Sequence, residues 1–234
     1  MQRKSPIVLL TRPQAASEAF AASLGKVETV ISPIIRIEPR DIAVDPDAYE
    51  LLIFTSQNAV RAVAGMNLSG RRAACVGEAT ARAARALGME AVAADGNASS
   101  LIECVARMKP ARPVLFLRGV HSRGDIAAGL AQYGIEVHSA VCYDQPAQAL
   151  NRRAVAVLSG ENAVAIPLFS PRSSALLGRA VAKANPRAEL VLVAISQAAL
   201  DAWSGPVAAG RFVSARTTGA AMRDEVLRRI AQWS

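Results

Sequence analysis

The stretch LLIFTSQNAVRAV, residues 51–63, decides the fold. Leu51–Thr55 is a continuous apolar, β-prone run, Ser56 is a small polar break, and QNAVRAV then has helical character. A strand without polar alternation is covered on both faces, as in a parallel sheet between helices. Similar short runs recur at Ile7–Thr11, Val27–Ile31, Ala73–Val76, Val114–Leu117, Ile135–Tyr143, Ala165–Phe169, Leu190–Ile195 and Arg211–Ser214. Helical patterns separate them at Gln14–Leu24, Glu78–Leu87, Ser99–Met108, Ser122–Tyr133 and Thr218–Ile230. In the last, Met222, Val226, Leu227 and Ile230 share one face.

The segments ISPIIRIEPRD (31–41) and EVHSAVCYDQP (136–146) break this alternation: both are extended, bear prolines and lack an obvious following helix. Read as a paired connection, they divide the chain into two α/β domains of ordinary size. The first is discontinuous, residues 1–36 with 147–234, and the second, residues 41–138, is inserted into it. An internal echo supports two similar domains: FTSQNAV (54–60) with VGEATA (76–81), then FSPRSSAL (169–176) with AISQAAL (194–200). The expected fold is therefore α/β, two similar domains with parallel sheets flanked by helices, joined by a two-stranded extended linker.

Four strand-to-helix junctions, at Ser56, Gly77, Ser170 and Ser196, carry the candidate chemistry. Ser56 and Ser170 read as N-caps, the latter with Pro171 at the first helical position, and Gly77 permits tight entry into a helix. In a parallel sheet such junctions share the carboxyl edge, where ligands of open α/β folds bind. Exposed amides and the positive helix end suit carboxylates or phosphates there. Lys plus Arg number 27 against 19 Asp plus Glu, a formal charge of +8, so a polyanion held between the domains is the expected ligand. Ordinary capping is the competing explanation at any one junction.

Other classes lack their signatures. The chain has no G-x-G-x-x-G, Walker loop or G-x-S-x-G elbow. His121 and His138 form no metal pattern, so no metal is expected. Cys75, Cys104 and Cys142 are odd in number and lack a CxxC, which points to buried free thiols. No membrane span or signal segment is legible, so a cytoplasmic protein without membrane contact is expected. Basic residues are scattered and aromatics are 4%, which argues against nucleic acid.

With these residues in view, the sequence resembles the uroporphyrinogen-III synthase family over essentially its whole length. The matching pieces are LLTRP (9–13), IFTSQNAV (53–60), VGEATA (76–81), LFLRG (115–119), VCYDQP (141–146), LFSPRSSA (168–175) and VLVAI (191–195). The resemblance implies two α/β domains joined by a two-stranded ladder. It also implies a cofactor-free reaction on hydroxymethylbilane, a linear tetrapyrrole bearing many carboxylates. Loss of the terminal hydroxyl gives an azafulvene, and attack through a spiro intermediate closes the ring with the last pyrrole inverted. Uncatalysed closure gives the uninverted isomer, so the protein must select a geometry.

By resemblance Tyr143 lies beside a cleft and can assist hydroxyl loss, although packing in the ladder explains it equally well. Thr80 is likewise a cleft threonine or a helix-packing residue. Ser56, Asn58, Gly77, Ser170 and Ser173 are expected to line the cleft, with Arg118 and Gly119 in an RG turn and Arg12 in a TRP turn. Arg12 can equally be a structural ion pair. The family often has Gly and Thr where this chain has Ser196 and Ala199, and a basic residue where it has Asp144. A monomer is expected; the alternative function is a two-domain binding protein for a small polyanion.

Overall fold

The computed structural model describes residues 6–121 and 125–233. Its elements run β1 (Ile7–Leu10), α1 (Gln14–Ser23), β2 (Thr29–Ile31), β3 (Glu38–Pro39), β4 (Leu51–Phe54), α2 (Gln57–Ala62), β5 (Arg72–Cys75), α3 (Glu78–Arg85), β6 (Glu90–Ala93), α4 (Ala98–Met108), β7 (Val114–Gly119) and α5 (Ile126–Ala131). They continue with β8 (Val137–Asp144), α6 (Arg152–Leu158), β9 (Val164–Leu168), α7 (Pro171–Ala184), β10 (Leu190–Ala194), α8 (Gln197–Asp201), β11 (Gly210–Val213) and α9 (Gly219–Trp233). The expected helix over 122–133 is observed from Ile126; residues 122–124, like the basic N-terminal residues 1–5, lie outside the described residues.

The chain divides into two compact units: residues up to Arg36 with those from Ala147 onward, and Ile37–Pro146. The first unit holds the sheet β11-β10-β9-β1-β2, parallel throughout. The second holds β3-β8-β7-β4-β5-β6, parallel except for the antiparallel pair β3–β8. The two orders match if β9, β10, β11, β1 and β2 are set against β4, β5, β6, β7 and β8. Within each unit the order reverses at one place, between β4 and β7 or between β9 and β1.

Alternation along β4 shows why its apolar run is continuous. Leu52 and Phe54 face a core with Ala59 and Val60 of α2 and Ala81 and Ala84 of α3. Leu51 and Ile53 face another with Leu101 and Val105 of α4 and Ile126 and Leu130 of α5. Both faces are dry, as a parallel sheet requires. In the first unit, Val8, Leu10, Ala165 and Val193 meet Phe20 of α1 and Met222, Val226 and Ile230 of α9, with Leu227 at the margin.

Three sequence expectations change. The segment 136–146 is more than a connection, because Val137–Asp144 is a strand hydrogen-bonded to both β7 and β3. Its mixed burial disguises it, since only the end near Tyr143 is fully covered. The short edge strand β6 and helix α6 are additions to the expected elements; β6 alternates between exposed and buried residues and has too few apolar side chains to stand out. Of the three thiols, Cys75 and Cys142 are buried but Cys104 only partly so.

Candidate active site

In the second unit the order reversal lies between β4 and β7, and the residues at their carboxyl ends meet. Such a switch point leaves a crevice because the connections from adjoining strands depart on opposite sides of the sheet. Ser56 follows β4 and caps α2, its Oγ accepting the N–H of Asn58 at 3.1 Å. Gly119 ends β7, where the pairing with β8 shifts register between Arg118 and Gly119. The expected RG turn is thus a strand end with an irregular step. The guanidinium of Arg118 donates to the carbonyl of Gly119 at 3.1 Å, and the Cys142 thiol reaches the Arg118 carbonyl at 3.5 Å.

Tyr143 lies on β8, next to β7, and is buried at 4% exposure. Burial raises the phenol above the ordinary tyrosine range, and the Ser56 hydroxyl nearby opposes that rise. Asp144, where the family often has a basic residue, forms an ion pair with Arg40 at 3.1 Å. An acidic residue therefore closes the β3–β8 edge by pairing with an arginine just beyond the neighbouring strand.

Gly77 caps α3 without a side-chain hydrogen bond. A Cβ there would meet its nearest neighbour, the Gly96 Cα, at an ordinary 3.6 Å, so tight entry is not the reason for glycine. Thr80, one turn along, is buried at 5% exposure, and its N–H bonds the Gly77 carbonyl at 3.0 Å.

The first unit's reversal lies between β9 and β1, and Arg12 and Ser170 follow those two strands. Arg12 does not form the expected alternative of an ion pair: among the described residues no carboxylate pairs with it. Its guanidinium lies 4.4 Å from the centre of the Phe169 ring, and burial lowers its pKa from the usual arginine value. Phe169, which nothing in the sequence singles out, also packs edge-on against Phe20 at 5.1 Å. Ser170 caps α7 as expected, accepting the Ser173 N–H, and the two hydroxyls lie 2.7 Å apart. Ser196 caps α8 in the same way through the Ala199 N–H at 3.3 Å.

The sequence-selected residues therefore form two groups, one at each reversal. Ser56, Asn58, Arg118, Gly119 and Tyr143 join in the second unit, with Gly77 and Thr80 at the adjoining strand end. Arg12, Ser170 and Ser173 flank the reversal in the first unit. Helix ends contribute unequally: α2 has 6 residues and α8 has 5, too few for a strong dipole, whereas α7 has 14. Among the described residues no group of His, Cys, Asp or Glu is arranged to hold a metal ion. No helix among them is long and apolar enough to cross a membrane.

The sequence matches the family model described as Uroporphyrinogen-III synthase HemD over residues 15–205. This chain belongs to the uroporphyrinogen-III synthase family. Its members are cyclising lyases of tetrapyrrole synthesis, acting on a small-molecule substrate. The fold is that of uroporphyrinogen-III synthetase from Helicobacter pylori 26695, at TM-score 0.68 and 16% identity, over 97% of this chain and 100% of that one. A mutant uroporphyrinogen III synthase from the extremely thermophilic bacterium Thermus thermophilus aligns at TM-score 0.54 and 16% identity, over 98% of this chain and 100% of that one. No curated protein sequence matches this chain.

Proposed function

We propose that this member of the family cyclises hydroxymethylbilane to uroporphyrinogen III at the residues gathered by the two order reversals. The observation that carries the assignment of roles is Tyr143, a buried phenol whose ring lies against Gly119 at the end of β7. The Tyr143 hydroxyl gives its proton to the substrate's terminal hydroxyl as the carbon–oxygen bond breaks and water departs. The proton shed when the closed macrocycle regains pyrrole aromaticity restores the phenol. No strong nucleophile is needed, because the substrate supplies both reacting carbons.

Arg12 is assigned to a substrate carboxylate. A guanidinium that is partly desolvated and lacks a carboxylate of its own gains more from an incoming one than an already paired arginine does. The open start of α3 at Gly77 and the Ser170–Ser173 cap offer further amide and hydroxyl donors. Arg118 precedes Gly119, against which the phenol lies, and Thr80 follows the Gly77 junction, so we assign them to shaping that edge rather than to proton transfer. Many modest donors of this kind fold a flexible polycarboxylate toward the reactive conformer. We further propose that the enzyme acts as a monomer in the cytoplasm.

Feeding hydroxymethylbilane to the protein and resolving the product isomers tests the activity. The inverted isomer, type III, is expected in excess. Formation of only the uninverted isomer, at the uncatalysed rate, would leave polyanion binding as the reading.

A further inference from the structure

The Arg12 guanidinium rests on an aromatic ring, and that ring comes from the other side of the order reversal. Arg12 is the second residue after β1 and Phe169 the first after β9, and these two strands are paired neighbours. The guanidinium carbon lies 4.4 Å from the centre of the Phe169 ring, so a cation–π contact bridges the two strand ends. The backbone of Arg12 is tied down as well. Its carbonyl accepts the hydroxyl of Ser17 at 2.8 Å, and Ser17 is fully buried in α1.

The ring is fixed in turn. Phe20, itself buried, meets it edge-on with ring centres 5.1 Å apart and planes at 85°, an arrangement that aromatic pairs prefer. Phe169 also packs against the cluster of Val8, Leu10, Val193 and Met222. An acid in place of the ring would hold Arg12 equally well, but it would occupy the fork of N–H donors that grips a carboxylate. A ring attracts the cation without taking those donors in directed ionic hydrogen bonds.

We propose, resting on the carboxylate-binding role assigned to Arg12, that Phe169 is a positioning residue for substrate binding: its face holds the Arg12 guanidinium at the β9–β1 reversal with N–H donors left for a substrate carboxylate, and Phe20 holds the ring. An arginine free in solvent loses much of its side-chain freedom when it grips a ligand. One already resting on a ring loses less. The usual cost of ordering such a side chain corresponds to roughly two- to tenfold in affinity. The effect falls on binding, because Arg12 is not assigned to bond breaking.

The test is steady-state kinetics with hydroxymethylbilane, with the type III product resolved. It uses Phe169→Leu, Phe169→Tyr, Arg12→Met and the double variant of Arg12→Met with Phe169→Leu, each in the full-length protein. Phe169→Leu keeps an apolar side chain against Phe20 but removes the ring face. Its KM should rise roughly two- to tenfold with kcat nearly constant. Phe169→Tyr keeps the face and should recover most of the lost affinity. On the Arg12→Met background, Phe169→Leu should leave KM where Arg12→Met alone puts it, the signature of one residue acting through the other. If Phe169→Leu does not fold, Phe169→Met, with a longer apolar side chain, takes its place with the same expected KM.

A raised KM in Arg12→Met beside an unchanged KM in folded Phe169→Leu would overturn the positioning role and leave the binding role of Arg12 standing. Equal rises from Phe169→Leu with and without the guanidinium would make Phe169 a packing residue and overturn the proposal too. A fall in kcat at constant KM would do the same. An unmoved KM in Arg12→Met removes the carboxylate role and the proposal resting on it. Wild-type protein that gives no excess of type III removes the enzymatic reading itself, and the proposal with it.

Discussion

Arg12→Met separates binding from stability, because the two effects should point in different directions. The Arg12 guanidinium lies on Phe169 at 4.4 Å, partly buried and without a carboxylate partner among the described residues. The native fold therefore bears a desolvation cost there and recovers about 0.5–2 kcal/mol through the ring. Methionine has a similar reach, removes the charge and retains a sulfur–aromatic contact of about 0.3–1.5 kcal/mol. Unfolding free energy should then stay within about 1 kcal/mol of wild type, or rise, which for a chain of this size is a Tm change of about 2–4 °C at most. Binding loses a charge-assisted hydrogen bond of about 1.5–3 kcal/mol. At about 1.4 kcal/mol per factor of ten, KM should rise roughly ten- to a hundred-and-fifty-fold. Thermal melts and steady-state kinetics on the same preparation measure both. A Tm lower by about 8 °C or more with unchanged KM would show that Arg12 is structural, and the reasoning would be wrong.

Other perturbations probe the charge, the thiols and the packing. Raising salt from low to physiological strength should increase KM with kcat nearly constant, since a screening length of about 8–10 Å weakens attraction between the +8 chain and a polycarboxylate; a flat KM would mean that net charge does not recruit substrate. Burial pushes the Cys75 and Cys142 thiols up, to about 12 and about 11. Both exceed the ordinary thiol value of 9.0, so their contribution to stability is full below pH 9 and is lost as pH rises through 11–12. Tm should fall along that interval, less steeply in Cys75→Ala, and at pH 8 a thiol reagent should modify Cys104 well before the other two; equal reactivity of all three would contradict their placement. Gly178→Ala on α7 puts a Cβ 2.6 Å from the Gly205 nitrogen and 2.8 Å from that of Ser204. Backbone cannot rotate away as a side chain can, so a loss of about 1–3 kcal/mol is expected by denaturant melt; wild-type stability would refute the contact.

What was legible in the sequence comes from short-range chemistry. The apolar run Leu51–Phe54 reads as a doubly covered strand because its own composition requires both faces to be dry. Ser56 and Ser170 read as caps because their hydroxyls reach amides two and three residues on, with Pro171 following Ser170. The echo between 54–81 and 169–200 picks out β4, β5, β9 and β10, which hold matching places in the two sheets. Family membership was legible in the order of several short pieces, because a strand-end motif must keep its place in the strand sequence even when its neighbours change.

Tertiary structure decided everything that joins residues distant along the chain. Strand β8 became visible only through its pairing with β7 and β3, since its own exposure pattern is mixed. Nothing local to Gly119 shows that the ring of Tyr143 lies over it. Arg12 could be read as half of an ion pair until Phe169, at the end of a strand formed more than a hundred residues later, proved to lie beneath it. Local propensity acts through a few neighbouring backbone groups and can place strands, caps and helices. A site at a reversal of strand order is assembled by crossovers whose path is set by the packing of the whole sheet, so its partners are chosen only when the sheet closes.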